Sequence, residues 1–176
     1  MYLFLDNAAR TLARIMALLG GVLLLAITAM TCVSIIGRAF VPFNIGLGPI
    51  RGIYDITEIG MAAAVFAFLP LCQYERGHAA VDLFADVIPI SLNKLLDLLF
   101  DIGMFLVASV GAWRLYLGML DKLRYQETTL IAQIPVWQGF AASLIGAVAF
   151  AIVAAFCILR SSRILIGWTS KEITHV

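Results

Sequence analysis

Charge is what this sequence has least of. Asp, Glu, Lys and Arg make up 13% of its residues, against 62% hydrophobic, and the formal net charge is +1. A water-soluble fold needs a charged exterior, so this composition, with mean hydropathy +1.00, excludes that class. No basic stripe is present, which excludes nucleic acid as a partner. Histidine is nearly missing: His78 and His175 are the only two. A membrane di-haem site needs His pairs facing each other across helices, and a zinc or two-metal site fails for the same shortage. Cys32, Cys72 and Cys157 are far apart, form no C-x-x-C, and read as small apolar fillers. There is no phosphate-binding glycine loop, no G-x-S-x-G and no H-E-x-x-H. The chain therefore reads as a non-enzyme with no cofactor.

Long apolar runs are what is there. Spanning ~30 Å of hydrocarbon at ~1.5 Å per residue takes ~20 residues. Four stretches qualify, at about 15–37, 55–74, 92–120 and 135–159, and together they predict one all-α integral membrane domain over 1–176. Residues 1–14 carry Asp6, Arg10 and Arg14 among regularly spaced apolar residues, an amphipathic lead-in to the first span. Arg14 and Arg38 bracket that span. The connector 39–57 is a loop by its Pro42, Gly46, Gly48, Pro49 and Gly52. Pro70 is expected to kink or end the second span. Between Glu75 and Ser91 the apolar Val81, Phe84, Val87 and Ile88 share a face opposite Asp82 and Asp86, which predicts a short interfacial amphipathic helix. The third span is longer than a bilayer needs and must tilt or project. Pro135 suits the first turn of the fourth span, and Trp137 the headgroup level.

Small residues four apart, Gly60 with Ala64, Ala63 with Ala67 and Ala142 with Gly146, predict close helix approach. Four spans put both termini on one side of the membrane. Arg10, Arg14, Arg76, Lys94, Arg160, Arg163 and Lys171 outnumber Arg38, Arg51, Arg114, Lys122 and Arg124, so both termini are expected to be cytoplasmic. Asp55, Glu58, Asp97 and Asp101 lie near helix starts, where carboxylates complement the helix dipole. The alternative is a set of ion ligands or proton relays. Asp97 and Asp101 are expected to pair with Lys94. Arg38, Arg76 and Arg114 are expected to snorkel to the headgroups, with an interhelical ion pair as the sharper reading.

Three further groups of residues carry a family likeness. Arg38 after the first span is followed by Pro42 and then Glu58 at the second. A charged turn holds Arg76, His78, Val81 and Asp82. Ile134, Pro135 and Trp137 open the fourth span, with Gly146 further in. In this order the chain resembles the small membrane (Q-type) subunit of tripartite ATP-independent periplasmic (TRAP) transporters, from about Ile15 to Leu159. It departs from them before Glu58, where Tyr54-Asp55-Ile56-Thr57 replaces an aromatic-Ser-x approach and the connector is Gly-rich.

The resemblance implies a scaffold for a large multi-span membrane subunit in the bacterial inner membrane. A periplasmic substrate-binding protein would deliver organic acids, and uptake would be secondary and sodium-coupled. Arg38, Glu58, Arg76, His78, Asp82, Pro135 and Trp137 would serve assembly. Arg51, Lys122 and Arg124 would help dock the binding protein. Membrane lipids are the remaining partner. A small self-assembling channel or exporter is the competing reading, and a four-helix membrane enzyme the third.

Overall fold

In lipid a backbone must satisfy its own polar groups, so each uncharged apolar run becomes a helix. The computed structural model describes residues 2–41, 50–77 and 90–165. Within them lie four α-helices: α1 (Tyr2–Phe40), α2 (Ile53–Tyr74), α3 (Ile90–Tyr125) and α4 (Trp137–Leu165). All four are long and apolar enough to cross a membrane.

The helices run past the expected spans. The first proline of the chain is Pro42, and α1 absorbs the amphipathic lead-in without a break, giving 39 residues. At ~1.5 Å per residue that is ~58 Å, and the 36 residues of α3 reach ~54 Å. Both exceed the ~30 Å hydrocarbon layer and must tilt or project from it. The expected interfacial helix, with His78 and Asp82, lies outside the described residues, as does Lys171.

Pro70 does not end α2, which continues to Tyr74. Proline lacks the amide that would bond the Phe66 carbonyl. The backbone of α4 lies against that same carbonyl: a Cβ on Gly146 would sit 2.7 Å from the Phe66 oxygen. Only glycine permits this approach, and Pro70 is fully buried there. Pro135 also departs from expectation. It precedes α4 rather than occupying its first turn, and its carbonyl accepts the Gln138 amide at 3.1 Å.

The centre of the fold is α4. It packs on α1, α2 and α3, while α1 packs also on α2. Half of its most apolar window is buried (50%), against 11% for α3, which packs on α4 alone. Ala13, Val153 and Cys157 form the buried cluster between α1 and α4. On α1 the buried residues Ala13, Gly20, Ile27 and Ser34 recur every seventh position, a stripe along one face of the helix. Gly20 meets Ala64 and Ala67 of α2, and Gly60 meets Ile27. The small-residue spacing on α2 is thus used as expected. On α4 the pair is broken: Ala142 is exposed while Gly146 is buried, and Gly139 and Ser143 are the buried small residues before it.

Candidate functional site

The polar residues of the described chain gather at two opposite ends of the helices. The first end is organised by Arg76. Helix α2 closes with the Gly77 amide on the Cys72 carbonyl (2.8 Å) and the Arg76 amide on the Gln73 carbonyl (3.2 Å). This paired closure places the intervening residue in the left-handed region, where glycine is usual. Here that residue is Arg76, with φ 52°. The turn carries its side chain back across the neighbouring helices.

The Arg76 guanidinium donates to Asp97 Oδ2 of α3 at 2.7 Å and to Ser161 Oγ of α4 at 3.0 Å. Asp101, one helical turn beyond Asp97, is buried. It accepts from Gln73 Nε2 of α2 at 3.0 Å and from the Ser161 hydroxyl. Arg76 Nη2 lies 3.9 Å from its Oδ2. Tyr74 donates to Asp6 of α1 at 3.0 Å, and the Arg160 guanidinium stands 5.8 Å from the Tyr74 ring centroid. Side chains from all four helices thus meet in one clasp. A buried carboxylate is costly without donors, and Asp101 has them on both oxygens.

Two expectations are corrected here. Asp97 pairs with Arg76, in the turn that closes α2, and not with Lys94. Arg76 therefore ties helices together instead of reaching for headgroups, because two acceptors from α3 and α4 lie within its span.

The second end is built on backbone. Helix α3 closes as α2 does, with Gln126 (φ 51°) in the left-handed position. The chain then doubles back. Thr128 bridges Pro135, the Thr129 amide donates to the Ile134 carbonyl at 2.9 Å, and the Val136 amide to the Glu127 carbonyl at 3.0 Å. Asp55, in the first turn of α2, holds the tip: its Oδ2 accepts the Ile131 and Ala132 amides at 3.0 and 2.8 Å. Gly52 packs on the same tip. Its φ of 75° suits glycine, and a Cβ would sit 2.5 Å from the Ala132 Cβ.

Between the two ends α2 and α3 do not pack on each other, and α4 floors the gap. The result is a groove of about 430 Å³ under the hairpin. Glu58 lines it with an exposed carboxylate for which no hydrogen bond or ion pair is found among the described residues.

The sequence-predicted residues are scattered by this geometry. Arg76 is at the clasp, Glu58 in the groove, Pro135 in the hairpin, and Trp137 half-buried at the start of α4. Arg38 is exposed in the last turn of α1. Among the docking candidates, Arg51 and Arg124 are exposed, while Lys122 is paired with Glu127 at 2.6 Å. His78 and Asp82 lie outside the described residues. Gln73 and Ser161 were missed: a neutral amide and a neutral hydroxyl beside charged residues at helix ends give no local pattern. Asp101 and Ser161 are 60 positions apart, so only the fold joins them. Among the described residues no three His, Cys, Asp or Glu side chains gather as for a metal ion.

Compared with known proteins, residues 27–164 match the family described as tripartite ATP-independent periplasmic transporters, DctQ component. The match spans the Arg76–Asp97–Asp101–Ser161 clasp and the hairpin, and begins after Asp6. No curated protein and no solved structure gives a match.

Proposed function

We propose, from the premise that this chain belongs to the DctQ component family of TRAP transporters, that it is the static small subunit of a secondary uptake system. It scaffolds a large multi-span transport subunit in the bacterial inner membrane, with both termini cytoplasmic. A periplasmic binding protein delivers organic acids, and a sodium gradient drives their uptake. The chain itself catalyses nothing.

The observation that carries a scaffold role is the distribution of charge. The clasp and the hairpin fasten the helices at their two ends, while α4, the helix that packs on all others, has no Asp, Glu, Lys or Arg from Trp137 to Leu159. A mobile translocation element needs ligands near the membrane midplane. A scaffold needs fixed helix ends and a large apolar flank. The exposed faces of α1 and α3, with Leu18, Val22 and Leu25 on one and Leu106, Val107 and Val110 on the other, offer that flank.

Coexpression with the large subunit tests the reading. The two should copurify in detergent, and uptake by reconstituted vesicles should require both plus the binding protein. Ion conductance by this chain reconstituted alone would replace the scaffold with the channel. Charge reversal at Arg51, Lys122 and Arg124 should lower uptake while leaving copurification intact. Unchanged uptake would remove the hairpin end from docking.

A further inference from the structure

We infer that the groove between α2 and α3 is a binding site for one phospholipid with an ammonium headgroup, its ammonium on Glu58 and one acyl chain running toward Phe66. Three observations converge on this occupant.

The groove is charged at one end and, Ser143 apart, apolar at the other. Asp55, Glu58 and Thr129 line it beside the hairpin, and Ala62, Phe66 and Phe140 continue it along the helices. From Glu58 to Phe66 the rise of α2 carries the lining ~12 Å toward the membrane interior. A headgroup followed by a chain has the same order and orientation.

Depth agrees. The 22 residues of α2 span ~33 Å, close to the hydrocarbon thickness. Glu58 is the sixth of them, ~7.5 Å below the helix start, on the chain side of the boundary with the headgroups, and helical side chains tilt back toward that start. An ionised group there is costly unless a cation meets it.

Charge selects the headgroup. Asp55 spends its Oδ2 on two backbone amides, and Glu58 has no partner among the described residues. Two carboxylates at one mouth repel an anionic lipid and attract an ammonium.

Native mass spectrometry of the full chain tests this. The chain is extracted from membranes containing phosphatidylethanolamine and phosphatidylglycerol. The wild type should keep one phosphatidylethanolamine. Glu58→Gln should weaken its retention by about tenfold, the loss of one charge-assisted contact. Glu58→Lys should reverse the preference toward phosphatidylglycerol. Ala62 is exposed in the groove, so Ala62→Phe should fill the space and lose the adduct while leaving thermal stability unchanged. The same ratio of the two lipids in wild type, Glu58→Gln and Glu58→Lys would overturn the site. So would full retention by Ala62→Phe. If these variants leave lipid retention alone but reduce copurification of a coexpressed large subunit, the groove holds protein and the lipid assignment is wrong.

Discussion

The two ends of the molecule are fastened by different chemistry. At the Arg76 end, side chains bind side chains, and the groups come from all four helices. At the hairpin end, one carboxylate captures two backbone amides and a glycine lets two backbones touch. Side-chain closure depends on residue identity at several distant positions. Backbone closure depends on few identities, because amides are present whatever the sequence. The first end should therefore fail globally when one member is removed, and the second should fail locally.

The largest effect is expected at Asp101. Asp101→Ala removes the acceptor of the Gln73 side-chain amide and of the Ser161 hydroxyl, takes a carboxylate from beside Arg76, and should cost about 3 kcal/mol. Thermal unfolding in detergent measures it; a loss no greater than that of Asp55→Ala would erase the contrast between the ends. Next is Gly52→Ala, at about 2 kcal/mol, from left-handed backbone strain plus the clash with Ala132. Its signature is faster hydrogen exchange at Ile131 and Ala132 with slow exchange retained in α4. Exchange rising throughout α4 would show that the hairpin end is also global. The smallest effect compares Arg76→Ala with Arg76→Gly. Both lose the ion pair, but glycine relieves the left-handed position, so it should melt above the alanine variant by the equivalent of about 1 kcal/mol. Equal melting would mean that the turn relaxes when the guanidinium is gone.

What could be read from the sequence follows from range. Apolar runs and their bracketing charges are local, and they predict four helices of the kind found, long and apolar enough to cross a membrane. The proline readings were weaker because a proline's effect depends on its neighbour: Pro70 is accommodated by Gly146 on α4, which no local pattern announces. The seven-residue stripe of α1 was invisible because Ala13, Gly20, Ile27 and Ser34 lie among residues equally apolar. The clasp was half legible. Arg76 was seen as a candidate ion-pair residue, yet Asp97 seemed to belong to Lys94, three residues before it, until the fold supplied Arg76, 21 positions away. Glu58 was picked out by its likeness to a family, and the groove it lines is a property of three helices together.

The central place of α4 has a consequence for biogenesis. A chain is made from its N-terminus, so α1 and α2 can pair while synthesis continues. Helix α3 then enters the bilayer with no helix body to rest on: among the described residues, side chains at the Arg76 end link it to α2. Its packing partner, α4, is made after it. Assembly must therefore close from the C-terminal side, and a ribosome stalled before α4 would leave α3 adrift in lipid, an exposed target for membrane quality control.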